Sequence, residues 1–90
     1  MLFEWDEAKR LSNIEKHGID FSDAFQMFDG RPRLDIGSPR RGEDRFLSVA
    51  LLDGRHATVV WISRGEDVIR IISFRRARRA EERQYRQIHD

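Results

Sequence analysis

The spacing of apolar residues changes along the chain, from a helical period near the start to a strand period in the middle. Between residues 6 and 18 the apolar positions recur every three residues, after a capping acid and before a helix-ending glycine, Asp6 and Gly18. This pattern predicts a helix over residues 6–17. Its apolar stripe consists of Ala8, Leu11 and Ile14.

Shorter elements are expected on either side of this helix. Residues 3–5 alternate in polarity and predict a short strand. Ser22 is expected to begin a second short helix, whose apolar positions are Ala24, Phe25 and Phe28. Residues 29–44 are rich in glycine, proline and charge, so we predict a loop with at most one edge strand around residues 33–36.

The middle of the chain predicts a sheet. Residues 45–52 and 55–63 flank Asp53-Gly54, a strong hairpin signal, and a second tight turn at Gly65-Glu66 leads into a strand over residues 67–74. With two-residue loops at both turns, Trp61 stands opposite Arg70. The face expected to pack on the helices then carries Leu47, Val49, Val60, Ile62, Ile69 and Ile71, and the opposite face carries Phe46, Trp61, Arg70 and Ile72. A slip of one residue would exchange these faces.

The last strand is expected to pass directly into a C-terminal helix capped by Ser73, because Ala77, Ala80 and Ile88 recur at helical spacing. Four arginines then occupy the opening turns of that helix, where the macrodipole favours acidic residues instead. They are Arg75, Arg76, Arg78 and Arg79. Such a conflict with local charge rules is typical of functional sites, so we expect an anion to bind there.

Composition narrows the class of protein. Ninety residues predict a single domain over residues 1–90. The chain has no cysteine, and its three histidines lie at no recognisable metal-ligand spacing, so we expect neither a metal nor another cofactor. It has no long apolar segment, which favours a cytoplasmic protein. The net charge of +1 is unevenly spread: residues 1–29 carry three Lys/Arg against seven Asp/Glu, whereas residues 75–86 carry six Arg against two Glu.

Two groups of residues resemble the signature of the BrnT toxin family. The first combines Trp5-Asp6, Lys9, Asn13 and Lys16-His17-Gly18 with Phe21 and Ala24; the second combines Arg70-Ile71-Ile72-Ser73 with Arg75, Ala77, Glu82-Arg83 and Tyr85. Phe74 and the Gly30-Arg31-Pro32 segment depart from the usual pattern. The resemblance implies an α+β, RelE-like fold, with an antiparallel sheet packed against N-terminal helices and followed by a C-terminal helix.

The same resemblance implies an activity and a partner. Toxins of this family are expected to cleave RNA without a metal, to stop translation and growth, and to be neutralised by a BrnA-type antitoxin. It leaves open whether the toxin–antitoxin complex is oligomeric and binds DNA through the antitoxin.

Metal-independent RNA cleavage needs a proton acceptor for the 2′-hydroxyl, a proton donor for the leaving oxygen and cations for the phosphorane. His17 is the natural acid or base, since imidazole titrates near neutrality. Glu82 is a second candidate base, and Tyr85 could donate a proton or stack on a nucleobase. The candidates to stabilise charge are Arg64, Arg75 and Arg79.

Seven further residues are candidates for RNA binding through phosphate contacts or base stacking. They are Lys9, Lys16, Trp61, Arg70, Arg76, Arg78 and Arg83. Each candidate also has a structural interpretation: His17 could cap helix carbonyls, Arg64 could be solvated, and Tyr85 could simply pack. Arg70 and Trp61 could form only a cross-strand cation–π pair.

Two other classes of function fit the same residues. The domain could bind nucleic acid through its arginines without cleaving it. It could also be an interaction module whose basic surface binds an acidic partner helix. Cleavage of RNA in the presence of a chelator separates the enzyme from both.

Overall fold

The computed structural model describes residues 1–39 and 42–89, which form one five-stranded sheet and three helices. The strands are β1 (Leu2–Glu4), β2 (Leu34–Gly37), β3 (Arg45–Leu52), β4 (Arg55–Ser63) and β5 (Val68–Arg76). The helices are α1 (Glu7–His17), a 3₁₀ helix (Phe21–Phe28) and α2 (Arg79–His89). None of these helices is long and apolar enough to cross a membrane.

The strand order is β1-β5-β4-β3-β2, and the predicted α+β class is confirmed. The sheet is mixed rather than purely antiparallel, because β1 pairs in parallel with β5 while the other neighbours are antiparallel. The predicted edge strand around residues 33–36 is present as β2.

The β3–β4 hairpin has the predicted bounds and turn. Asp53 and Gly54 both have positive φ, 54° and 76°, as a two-residue type I′ turn requires. Because glycine adopts positive φ without strain and aspartate tolerates it, this dipeptide fixes the pairing of Leu52 with Arg55 and of every residue pair behind it.

The β4–β5 turn is longer than predicted. The Arg64 amide donates to the Val68 carbonyl at 2.8 Å, so the loop consists of three residues, 65–67. The extra residue shifts the register by one, and Trp61 therefore lies opposite Ile71, while Arg70 lies opposite Ile62. The predicted Trp61–Arg70 pair is wrong, and the predicted faces of β3 and β4 are exchanged relative to β5.

Different helices pack on the two faces of the sheet. The core face packs on the 3₁₀ helix and carries Ala50, Leu52, Ala57, Val59, Trp61, Ile69, Ile71 and Phe74. A register shift between Val60 and Trp61 brings Phe74 to the same face as Ile71. The residues on the opposite side, among them Val49, His56, Thr58, Ile62, Arg70 and Arg75, form the α2 face. Trp61 packs edge-to-face on Phe28, with ring centroids 5.4 Å apart, and donates to Ser48 Oγ at 2.7 Å. The prediction of an exposed Trp61 opposite the helices is therefore wrong.

Helix α1 has the predicted ends but not the predicted packing. Asp6 accepts from the Lys9 amide at 3.1 Å, and Gly18 ends the helix at a φ of 71°. Leu11 of the predicted stripe is nevertheless 55% exposed, whereas Asn13 is buried. The reason is that α1 lies beside the part of β5 that β1 does not pair with. The β5 backbone there has free polar groups, which need a polar side chain such as Asn13 as a partner.

The 3₁₀ helix also differs in its start. Asp20, not Ser22, is the capping residue, and its carboxylate accepts from the Ser22 amide at 2.9 Å. Phe21 and Met27 are buried with Ala24, whereas Phe25 is 55% exposed. The tighter three-residue period places Phe21, Ala24 and Met27 on one line, which excludes Phe25 from the core.

Helix α2 begins six residues later than the predicted Ser73 cap. Strand β5 continues through Arg76, so Arg75 and Arg76 lie in a strand and not in a helix. Only Arg78 and Arg79 stand at the helix start, and Glu81 and Glu82 occupy its first turn. The predicted conflict with the helix dipole is therefore wrong for Arg75 and Arg76, since acidic residues complement the dipole here as they do in most helices.

Candidate active site

A shallow basic groove runs between α1 and β5. Its lining residues are Lys9, Ser12, Asn13, Lys16, His17, Ile72 and Ser73. Three of the predicted site residues, Lys9, Lys16 and His17, are thus brought together on one side of α1. This basic groove borders the exposed edge of β5 just before Arg75.

The positive charges around the groove affect His17. Burial lowers the pKa of the His17 imidazole below its ordinary value of 6.5, and the neighbouring charges of Lys16 and Arg75 lower it further. A lowered pKa keeps the imidazole neutral near pH 7, which is the form that accepts a proton. His17 lines the groove, whereas the Arg75 guanidinium lies on Glu81 and is not among the groove-lining residues.

Arg75 is held in place by a carboxylate. It lies opposite Thr58 on the α2 face, and its Nη1 and Nη2 donate to Oε1 and Oε2 of Glu81 at 2.9 and 3.0 Å. The two side chains are only 13% and 10% exposed. This is the bidentate geometry in which guanidinium binds carboxylates and phosphates most strongly.

Glu81 was missed by the sequence analysis. Its Oε1 also accepts from Thr58 Oγ1 at 2.9 Å and from the Arg78 amide at 2.8 Å. Burial alone would raise the pKa of Glu81, but the bonds from Arg75, the Arg78 amide and Thr58 outweigh it and hold this pKa at about 2. A glutamate at the third helical position is a known capping signal, yet it becomes visible only once the helix start is known.

Two predicted residues, Glu82 and Tyr85, belong to a second cluster on α2. Glu82 Oε1 lies 2.9 Å from His56 Nδ1, and Tyr85, only 5% exposed, packs between two imidazoles. Its ring centroid is 5.0 Å from that of His56 and 4.9 Å from that of His89. Neither histidine was among the predicted site residues, because the cluster depends on the β4–α2 packing.

Arg64 is not brought close to the groove. It follows Thr58 by six residues, so it stands about 20 Å further along the strand direction than the Arg75 position. Its side chain is 59% exposed, and its Nε lies 3.8 Å from Glu4 Oε1, which Arg70 Nη1 approaches at 3.7 Å. Arg64 and Arg70 therefore form a separate basic patch at the far end of the α2 face.

The remaining predicted RNA-binding residues divide between the two sides of the sheet. Arg76 lies opposite Ala57 and donates to the Leu52 carbonyl at 3.1 Å, while Trp61 is on the core face. Arg79 and Arg83 are exposed on α2, and Arg78 is exposed directly before it. Within residues 1–39 and 42–89, no cluster of three or more histidine, aspartate or glutamate side chains could hold a metal ion.

Comparison with known proteins identifies the family. The family model described as "Ribonuclease toxin, BrnT, of type II toxin-antitoxin system" matches residues 5–81. The crystal structure of the Brucella abortus ribonuclease toxin BrnT is similar, with a TM-score of 0.67 and 29% sequence identity; the match covers 88% of this chain and 100% of that one. No curated protein matches the chain at a significant level. Because the family model covers most of the sequence, and a solved member shares its fold, the chain belongs to the BrnT family of ribonuclease toxins of type II toxin–antitoxin systems.

Proposed function

We propose that the chain is a metal-independent endoribonuclease of the cytoplasm that inhibits translation and growth. The observation that supports this proposal best is the basic groove that holds Lys9, Lys16 and His17 against β5, the strand that carries the fixed guanidinium of Arg75. A neutral imidazole and a fixed cation are the groups that deprotonate a hydroxyl and stabilise the charge on the adjacent phosphate. The RelE-like character of the fold belongs to the same proposal.

In this mechanism the neutral imidazole of His17 accepts the proton of the 2′-hydroxyl, whose oxygen attacks the adjacent phosphorus. The bond from phosphorus to the 5′-oxygen of the next nucleotide breaks, that oxygen takes a proton from solvent water, and a 2′,3′-cyclic phosphate remains on the other product. Arg75 stabilises the charge that develops on the non-bridging oxygens, since its planar donors match a phosphate. Arg79, exposed one turn before Arg83 on α2, is the second candidate cation.

The other basic residues bind the strand on either side of the scissile phosphate. Lys9 and Lys16 line the groove itself, and Arg64 with Arg70 offers a second, separate contact for the strand at the far end of the α2 face. Tyr85, almost fully buried, supports this surface from beneath, whereas the Glu82 side chain pairs with His56, is 37% exposed and lines an open cavity with Arg79. Glu82 therefore stays a candidate base that solvent and RNA can reach.

A BrnA-type antitoxin is the proposed partner. Neutralisation is explained if the antitoxin covers the basic groove with acidic side chains, because RNA and an acidic protein would then compete for the same cations. The proposal includes a toxin–antitoxin complex that binds DNA through the antitoxin.

The decisive experiment measures RNA cleavage by the purified protein in excess EDTA. We expect cleavage to persist, to leave 2′,3′-cyclic phosphate ends, and to be lost in His17→Gln. His89→Gln is the matched control, because His89 is an exposed histidine at the C-terminal end of α2, whereas His17 lies on α1. RNA binding without cleavage by the wild-type protein would instead support a nucleic-acid-binding module, and activity restored only by added magnesium or zinc would contradict metal independence.

A further inference from the structure

One edge of the Arg75 guanidinium is occupied, and another is not. Nη1 and Nη2 donate to Glu81, and Nη1 also donates to the Arg76 carbonyl at 3.3 Å. A guanidinium has five N–H donors in a planar fork. The remaining two, on Nε and on the outer side of Nη2, point along a common edge and have no acceptor among the residues that the structure describes.

Glu81 is itself fixed from three directions. Its carboxylate accepts from a side chain of β4, a side chain of β5 and the backbone at the start of α2, through Thr58, Arg75 and Arg78 respectively. A carboxylate bound in this way cannot follow a moving partner, so the guanidinium plane of Arg75 is fixed with it. Arginine side chains otherwise have considerable rotational freedom, which is lost when they bind a ligand.

We propose that Glu81 is a positioning residue, which holds Arg75 so that its Nε–Nη2 edge receives two oxygens of an RNA phosphate. This proposal rests on the proposed RNA substrate and names a residue that acts on it only through Arg75. The ion pair cancels part of the charge of Arg75, so the contribution of Glu81 is geometry, not attraction. Donors that are aligned before the substrate binds stabilise a transition state without having to reorganise.

This geometry predicts opposite effects on binding and on turnover. Glu81→Gln removes a negative charge beside the site, so the KM for a short RNA substrate should fall. The bidentate contact is lost as well, so kcat should fall about tenfold or more, because a misaligned cation loses much of its effect on the transition state. A purely structural residue would instead lower the active fraction and leave KM unchanged.

Thr58→Val is the matched control. It removes the hydroxyl bond to Glu81 in a buried position and leaves both contacts between Glu81 and Arg75 in place. We expect Thr58→Val to lower the melting temperature while kcat stays within about twofold of the wild type. An equal loss of kcat in Thr58→Val and Glu81→Gln at matched loss of stability would overturn the positioning role.

A second measurement does not depend on cleavage. In ¹⁵N-labelled protein, the Nε–H resonance of Arg75 should be sharp and should shift when a 2′-deoxy oligonucleotide of the same sequence is added. In Glu81→Gln this resonance should broaden or disappear, and in Thr58→Val it should persist. If the wild-type resonance does not respond to the oligonucleotide, the proposal is overturned; if it responds although the wild type cleaves no RNA, the proposed ribonuclease function fails while the positioning of Arg75 for phosphate stands.

Discussion

The side-chain amide of Asn13 binds both backbone polar groups of Phe74, a residue 61 positions later in the chain. Its Nδ2 donates to the Phe74 carbonyl at 2.7 Å, and its Oδ1 accepts from the Phe74 amide at 3.2 Å. These two hydrogen bonds replace the bonds that a neighbouring strand would make to Phe74. β1 cannot make them, because it pairs only with residues 68–70. The same Nδ2 donates to the Ile19 carbonyl at 2.9 Å.

Asn13→Ala should therefore destabilise the protein by about 2–4 kcal/mol, because it leaves buried backbone groups of β5 without partners. Leu11→Ala on the same helix is the control and should change stability by no more than about 0.5 kcal/mol, since Leu11 is 55% exposed. Urea unfolding of both variants measures the difference. A larger loss in Leu11→Ala would mean that α1 packs through its apolar stripe after all.

The decrease in the rate of RNA cleavage at low pH should follow the protonation of His17. The pKa of this imidazole is lowered below 6.5 by burial and by the charges of Lys16 and Arg75, so protonation and loss of a general base should occur only below that pH. Lys16→Gln removes one positive charge and should raise the His17 pKa, because the imidazolium is then less repelled. NMR titration of the His17 ring protons checks the direction, and an unchanged or lower pKa in the variant would contradict it.

Arg79→Gln should leave the fold intact and reduce toxicity. Arg79 is exposed at the first position of α2, so its replacement should change stability by no more than about 0.5 kcal/mol. Loss of a cation at the site should lower RNA cleavage about tenfold or more. Melting temperature and growth arrest are measured side by side, with Arg55→Gln at the exposed start of β4 as the control. An Arg79→Gln protein that melts normally and still kills would locate the site elsewhere.

Trp61→Phe tests the base-stacking hypothesis. Phenylalanine keeps the aromatic contacts with Phe28 and Phe46 but loses the bond from the indole to Ser48, which should cost about 1 kcal/mol. RNA affinity, measured by fluorescence anisotropy with a 2′-deoxy oligonucleotide, should change less than about twofold, because the ring packs against the core and stacks on Phe46. A large loss of affinity at unchanged stability would show that Trp61 binds a base.

Features encoded by neighbouring residues were predictable, and features that depend on distant ones were not. The β3–β4 hairpin follows from the φ angles that Asp53 and Gly54 adopt, so its bounds were correct. The face of Trp61 depends on whether the next loop has two residues or three, and no composition signal distinguishes these lengths. The family signature, in contrast, spans both ends of the chain, and the family model confirmed it.

The candidate site shows the same limit. His17 and Arg75 could be named as candidates from the chemistry of their side chains, and their roles stay predictions. The ion pair between Arg75 and Glu81 could not be foreseen. To predict this ion pair, one must know where β5 ends and where α2 begins. Because the strand continues to Arg76, every arginine in the segment has different neighbours from those expected for a helix. Boundaries between a strand and a helix are difficult to locate when arginine, which is tolerated in both, occupies the junction.

The pairing of β1 with β5 determines the order in which the chain can fold during synthesis. Residues 2–4 can pair with β5 only after residues 68–70 have left the ribosome. The hydrogen bonds from the Asn13 side chain form later still, because they also require Phe74. Contacts of such sequence separation form late, because closing a long loop costs conformational entropy before any bond repays it. A nascent chain that ends before residue 81 also lacks the carboxylate that holds Arg75. A product that stops before residue 81 therefore cannot contain the ion pair that holds Arg75.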